Sequence, residues 1–263
     1  YNTGGVRQWV RSGGSSSNDG FGMIRLDGAG NVYVAGLFGM NFASGLVDIT
    51  ANFDGQTVQG QGFGDIFLVK YNSSGTAQWA RGGGGGSIDL LTDLVVDNAG
   101  NVYVTGAVGV LLVTDSSILF DGVVRSGPGN GDVIFGKYDA NGNPLWLKLG
   151  GSVGLDLGAK MLISGNNLFL GGGFGIFIPD HFAYAAVFDK AVLPGVQTDT
   201  NSLRSSDVFF ARFDISGREV AGLRYRARTS NPLVRAIVSG DQLYLVPEPG
   251  FTGTVEVRVS AFD

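Results

Sequence analysis

Six aspartates, one histidine and a run of five glycines are the residues of this 263-residue chain that could carry chemistry. Asp19, Asp89 and Asp156 each stand ten residues after a tryptophan (Trp9, Trp79, Trp146). Asp65, Asp132 and Asp207 each open an apolar run. Paired carboxylates could hydrolyse glycosides or hold calcium. They could equally accept backbone N–H groups in tight turns and at strand starts. Neither a twelve-residue EF-hand loop nor a calcium-binding nonapeptide repeat is present. His181, between Asp180 and Phe182, is the only imidazole, so a Ser-His-Asp site would have to use it. A single histidine also argues against a histidine-based metal centre. Gly82 to Gly86 matches a phosphate loop in glycine content alone, without the Lys-Ser/Thr ending or a following helix. A residue that recurs in every unit of a repeat is expected to be structural. The expectation is therefore a non-enzyme, with no catalytic residue and no cofactor, and calcium left open.

The recurrence is plain. Gly30-Asn31-Val32-Tyr33-Val34 returns 70 residues later as Gly100-Asn101-Val102-Tyr103-Val104, and the tryptophans are spaced by 70 and 67. Each unit runs in the same order. A Trp strand (Gln8-Trp9-Val10, Gln78-Trp79-Ala80, Leu145-Trp146-Leu147) leads into a Gly-rich loop. A first apolar strand follows (Met23 to Leu26, Leu94 to Val96, Met161 to Ile163), then a polar turn such as Asp27-Gly28-Ala29-Gly30. The second strand ends at Gly36, Gly106 or Gly172, and a long loop follows. The third strand runs from Asp65 to Tyr71, Asp132 to Tyr138 or Asp207 to Phe213, with a cation at Lys70, Lys137 or Arg212. Turn chemistry between short apolar runs, without helical periodicity, predicts an all-β chain. Four-stranded antiparallel units repeated in this way predict β-propeller blades, with the tryptophans packed between neighbouring blades.

Composition sets the outer bounds. Hydrophobic residues make up 44% and charged residues 16%, which argues for a folded chain. The net charge of −5 and the lack of a basic stripe argue against a nucleic-acid partner. No apolar run is long enough for a membrane-spanning helix. Absence of cysteine excludes disulfides and thiol chemistry. Composition shifts near residue 220: all three glutamates (Glu219, Glu248, Glu256) lie after residue 218, and only four of the 45 glycines lie after residue 220. The predicted division is therefore residues 1–220, three repeats plus an N-terminal closing strand, and residues 221–263, a separate β module with alternating strands around Tyr225, Leu243 and Val257.

The repeat resembles the bacterial SBBP β-propeller repeat, most fully over Gly100 to Gly106 and Asp132 to Asp139. The resemblance covers about residues 6 to 220. Gly222 to Asp263 is similar to the latter part of a cadherin-like or Ig-like tandem module, in Pro249-Gly250-Phe251-Thr252-Gly253-Thr254 and the closing Val259-Ser260-Ala261-Phe262-Asp263 among others. Its first strands, with their acidic loop, are missing, so the calcium binding of some relatives does not carry over. The resemblance implies a large, modular, secreted or surface-attached bacterial protein, many such proteins being exported by the type IX route. The third unit departs from the pattern: Ser164 replaces the turn aspartate, Ala221 stands where a tryptophan is due, and its loop holds the only histidine. Three blades are fewer than the four to eight that close a propeller. The rest is expected either from further parts of a longer polypeptide or from a second chain.

The functional expectation is adhesion or scaffolding at the bacterial outer cell surface. Other proteins or surface glycans are the expected partners, bound through the loops at about residues 37–64, 107–131 and 173–206. One alternative is a carbohydrate-binding or carbohydrate-hydrolysing propeller, which exposed loop aromatics facing carboxylates would support and buried ones would weaken. Another is a structural subunit of an assembly completed between chains. The apolar loop Gly173 to Ala186 is read as covered core, with an interaction surface as the alternative.

Overall fold

The computed structural model describes residues 2–40, 49–110, 117–120, 123–127, 129, 131–152, 154–176, 185–188, 191–194, 207–215, 224–230, 234–239, 242–247, 254 and 256–262. Among these residues the chain is all-β, without a helix. A two-residue strand, β1 (Gly13–Gly14), precedes the first unit. That unit comprises β2 (Asn18–Leu26), β3 (Val32–Met40), β4 (Thr50–Phe53), β5 (Gln56–Gln59), β6 (Asp65–Tyr71) and β7 (Ala77–Gly84). The second comprises β8 (Ile88–Val96), β9 (Val102–Val110), β10 (Ile118–Phe120), β11 (Val123–Arg125), β12 (Asp132–Tyr138) and β13 (Pro144–Gly151). The third has β14 (Leu155–Ser164), β15 (Asn167–Ile176), β16 (Ala185–Phe188), β17 (Ala191–Pro194) and β18 (Asp207–Asp214). The tail contributes β19 (Arg224–Thr229), β20 (Val234–Ser239), β21 (Gln242–Pro247) and β22 (Val257–Phe262), with β19 paired to β22 and β20 to β21, both antiparallel.

In each unit the long strands form an antiparallel meander: β2-β3-β6-β7, then β8-β9-β12-β13, then β14-β15-β18. Tight turns of the form Asp/Asn-x-x-Gly join β2 to β3, β6 to β7, β8 to β9 and β12 to β13. In the first turn, Asp27 accepts the backbone N–H groups of Ala29 and Asn31 at 2.9 Å and the Asn31 side-chain amide at 2.8 Å. Asp97, Asn72 and Asp139 accept the same backbone pair in their own turns. This is the Asx chemistry that favours such residues in turns.

Among the described residues, the loops after the second strands carry further strand. The second strands run on to Met40, Val110 and Ile176, four residues beyond the glycines where the sequence places their ends, and the first strands begin earlier than expected, at Asn18, Ile88 and Leu155. Each loop then carries a hairpin (β4-β5, β10-β11, β16-β17), and that hairpin pairs backwards. β10 adds to β7 of the preceding unit through Phe120↔Gly83, and β16 adds to β13 through Phe188↔Gly150. β4 adds to β1 through Phe53↔Gly13. Two six-stranded sheets result, each made of one meander and the hairpin of the next unit. The glycines on the receiving strands let the hairpin backbone approach: a Cβ on Gly83 would collide with the Leu119 carbonyl oxygen.

The core lies between units. One cluster joins Tyr33, Ile66, Leu68 and Trp79 of the first unit to Leu94, Val104, Ile134 and Tyr138 of the second, with Ile118 and Phe120 from the hairpin. The next joins Tyr103, Val133 and Phe135 to Met161, Leu170, Phe209 and Phe213, with Ala186 and Phe188. A third covers the other side of the first unit, where Phe53, Val58 and Trp9 pack against Phe67, Val69 and Tyr71. Alternate residues of each central strand thus face opposite neighbours, which is why β6, β9 and β12 read as near-continuous apolar runs.

Candidate functional site

The recurring side chains gather at the junctions between units. Trp9 lies on the turn glycine Gly75, and Trp79 on Gly142. A Cβ on either glycine would come within 2.6 Å of the indole Cδ2, and both have left-handed backbones, with φ of 80° and 79°. Only glycine meets both demands. The indole N–H of Trp9 donates to the Ser73 carbonyl (3.1 Å), and that of Trp79 to the Ala140 carbonyl (3.2 Å). Arg11 and Arg81, two residues on, donate from Nε to the carbonyls of Gly75 (2.7 Å) and Gly142 (2.5 Å). Trp146 packs edge-on against Phe135 and near Tyr103, but its indole nitrogen has no hydrogen-bond partner among the described residues. The recurring cation completes the junction. Lys70 donates to the Ala140 carbonyl at 2.9 Å while lying 5.2 Å from the Tyr33 ring centroid, and Lys137 donates to the Ile215 carbonyl at 2.9 Å while lying 5.0 Å from the Tyr103 centroid. The Tyr33 hydroxyl sits 3.1 Å from Asp27 Oδ2 and 3.3 Å from the Gly100 carbonyl of the next unit. Burial, then the Asp27 charge, raises its pKa.

The aspartates ten residues after each tryptophan occupy register breaks. The β2-β3, β8-β9 and β14-β15 ladders each shift across Asp19, Asp89 and Asp156, where two residues of the second strand (Phe38-Gly39, Val108-Gly109, Phe174-Gly175) stand opposite the single aspartate, a bulge on the second strand. Each turns its carboxylate to a glycine with positive φ on the second strand: Gly39 N–H to Asp19 (3.0 Å), Gly109 N–H to Asp89 (2.8 Å) and Gly175 N–H to Asp156 (2.8 Å), at φ of 76°, 75° and 71°. The other oxygen holds the Gly-rich loop through the N–H of Ser15, Gly85 or Ser152. These three glycines recur in the sequence but stand out only once the bulge is seen.

The two series of aspartates meet across a glycine. A Cβ on Gly84 would overlap Asp65 Oδ1 and lie 2.7 Å from Asp89 Oδ2; one on Gly151 would overlap Asp156 Oδ2 and lie 2.7 Å from Asp132 Oδ1. All four aspartates are buried. Asp65 takes the N–H groups of Gln61 (3.0 Å) and Gly62 (3.3 Å) on Oδ2, while its Oδ1 has no hydrogen-bond partner among the described residues. Burial pushes Asp65 up to about 6, against the pull of those two N–H groups. Burial likewise pushes Asp89 up to about 7, with the Asp65 charge adding and the Gly85 and Gly109 N–H groups opposing. Asp156 is also raised by burial. Such a pair can share a proton, which removes one of two like charges from a dry site. Replacing Gly84 with alanine is expected to destabilise the chain by about 1–3 kcal/mol through overpacking. Urea unfolding would measure this, and a change below about 0.5 kcal/mol would contradict the close approach.

One charged residue outside the repeat also ties units together. Asp93, buried in β8, pairs with Arg25 of the first unit at 2.8 Å and accepts the Met161 N–H of the third at 3.0 Å, with Lys160 Nζ at 3.6 Å. A lone acid in an apolar strand is the signal that could have found it.

The loops are placed differently from expectation. Phe53, Phe120 and Phe188 of the hairpins are buried against neighbouring strands, as is Phe174. Exposed hairpin positions include Thr50, Asn52, Thr57, Gln59, Val124, Arg125 and Val187. His181 and the apolar stretch around it lie outside the described residues, as does Ala221. Among the described residues the Trp9 stretch forms a ladder at Gly13–Gly14 alone, and Gln8, Trp9 and Val10 have no strand partner there. An open groove of about 660 Å³ runs beside it, lined by Gln8, Trp9, Ile24, Leu26, Val32 and Ser73. Among the described residues there is no group of three or more metal-ligating side chains and no helix able to cross a membrane. No protein-family model and no curated protein matches the chain.

Proposed function

We propose that this chain is a non-enzymatic scaffold at the bacterial outer cell surface. Its meanders are read as SBBP-type propeller blades, and its tail (residues 221–263) as part of an Ig-like or cadherin-like spacer. The observation that carries the reading is the use to which the recurring polar side chains are put. Tryptophan, lysine, arginine and tyrosine hold the turn of the next unit, and the aspartates hold bulges and Gly-rich loops. A rigid stack of this kind suits display of exposed edges to other proteins or to glycans.

Two further observations weigh against the carbohydrate-hydrolase alternative. Both aspartate pairs, Asp65 with Asp89 and Asp132 with Asp156, are sealed from solvent, so a glycosidic bond would not reach them. The hairpin aromatics that could stack on sugars are buried as well. Cells making the protein, treated intact with a membrane-impermeant amine-reactive label, are expected to yield labelled chain. Labelling only after lysis would overturn the surface reading.

A further inference from the structure

The turn that closes the junction between the first and second units carries a reactive dipeptide. Asn141-Gly142 puts an asparagine before the glycine that lies under Trp79. The matching glycine under Trp9 follows Ser74, and its sequence counterpart in the third unit, Gly217, follows Ser216. Asparagine before glycine is the pair most open to ring closure, since no side chain shields the glycine nitrogen. That nitrogen loses its hydrogen and attacks the asparagine Cγ, the side-chain nitrogen leaves as ammonia, and a cyclic imide forms. One water then opens the imide at either carbonyl. One opening gives aspartate. The other gives isoaspartate, whose main chain runs through Cβ and is one carbon longer.

The two halves of the dipeptide are held very differently. Asn141 is exposed, and its side-chain amide makes no hydrogen bond among the described residues. Gly142 is buried, and its N–H is donated to the Asp139 carbonyl at 2.9 Å. Its own carbonyl accepts Arg81 Nε at 2.5 Å, and a Cβ on it would stand 2.6 Å from the Trp79 Cδ2. The flanking residues are tied down as well. The Ala140 carbonyl accepts both the Trp79 indole N–H (3.2 Å) and Lys70 Nζ (2.9 Å). Asn143 donates its backbone and side-chain N–H groups to Asp139, each at 2.8 Å. Ring closure needs the Gly142 nitrogen to swing onto the Asn141 side chain. That movement breaks its bond to Asp139 and lifts the glycine from the indole.

We propose that Asn141 is a self-modifying site gated by the contact of Trp79 with Gly142. While the contact is closed the residue stays asparagine. Each opening frees the Gly142 nitrogen and lets the imide form, with water as the sole co-reactant. The isoaspartate product does not regain the closed state. Its longer main chain leads into a glycine that already touches the indole and is held at a φ of 79°. A reversible local opening between the first two units is thereby made permanent, and the chain keeps a covalent record of it. In the first unit Ser74 precedes the clamped glycine, so the same opening there leaves no mark.

Trypsin cuts after Arg125, Lys137 and Lys148, so the peptide from Tyr138 to Lys148 reports Asn141 apart from the chain's other Asn-Gly pair, Asn130-Gly131. Mass spectrometry of that peptide, sampled over time in mildly alkaline buffer, is expected to show imide and acid forms at least about tenfold more slowly in folded than in urea-unfolded chain. Trp79→Phe keeps a ring over Gly142 but loses the indole N–H, and should raise the folded-state rate about fivefold. Urea below the unfolding transition should accelerate the reaction in the unaltered chain. Asn141→Ser copies Ser74 and should yield a folded chain without the product. Isoaspartate chains, separated by their extra charge, should unfold at a lower guanidinium concentration. Equal rates in folded and unfolded chain would overturn the proposal, as would an unchanged rate in both Trp79→Phe and dilute urea, or no product from unfolded chain. An unchanged unfolding midpoint of the isoaspartate form would overturn the permanence of the opening.

Discussion

Replacing Trp79 with alanine will lower unfolding stability by about 3–5 kcal/mol. The indole is buried, meets the Tyr33 ring edge-on with centroids 6.1 Å apart, and lies against Gly142. The Arg81 guanidinium sits 5.8 Å from its centroid, and its N–H satisfies the Ala140 carbonyl. Truncation would open a cavity between the first and second units and free Arg81 from one side of its packing. Trp79→Phe should lose less, since a smaller ring still covers Gly142; about 1 kcal/mol of that loss would come from the missing hydrogen bond. Trp9→Ala is the informative comparison. Trp9 makes the same contacts to its turn, stacks on Tyr71 and is only half-buried, so less apolar area is lost. Equilibrium unfolding in guanidinium, followed by circular dichroism, separates the three variants. A Trp79→Ala loss no larger than that of Trp9→Ala would show that the junction is not what holds the units together.

Mild acid will stabilise this protein, opposite to the common behaviour. Asp89 is held at about 7 and Asp65 at about 6 in the folded chain, against the ordinary value of 3.8, and Asp156 is raised in the same direction. A raised acid binds its proton more tightly folded than unfolded. Unfolding then releases protons, so stability rises as pH falls from about 7 towards 3.8 and levels off below. For Asp89 alone the shift corresponds to something on the order of 4 kcal/mol. Asp27 and Asp139, lowered from 3.8 in their turns mainly by hydrogen bonds to Asn31 and Asn143, act the other way and only under more acidic conditions. Urea midpoints should therefore climb from pH 8 to about pH 4.5 and fall at lower pH. In Asp89→Asn the climb should shrink. A flat profile between pH 8 and 5 would mean that the buried pair carries no strain.

The local order of this fold was legible in the sequence because its signals are local. Asp-x-x-Gly turns between apolar runs locate the meanders, and the third strands begin where Asp65, Asp132 and Asp207 stand. What escaped is long-range. Nothing in Thr50–Phe53 or Ile118–Phe120 says that these short strands pair with the unit before them rather than their own. The bulges escaped for a related reason: the carboxylate of Asp89 meets Gly109 twenty residues away, and a glycine among 45 carries little information. Recurrence marked which residues matter without marking what they touch. Asp93 shows the converse, since it recurs nowhere and yet joins three units.

The backward-reaching hairpins also set a timetable for the chain as it is made. Synthesis runs from the N-terminus, so β7 is complete at Gly84 while the strands that finish its sheet lie further on and end at Arg125. The sheet ending at Gly151 waits in turn for Pro194. Each sheet therefore stays incomplete until much of the following unit has emerged. A nascent chain of this design keeps each of these two sheets open at one edge until the hairpin of the following unit has emerged.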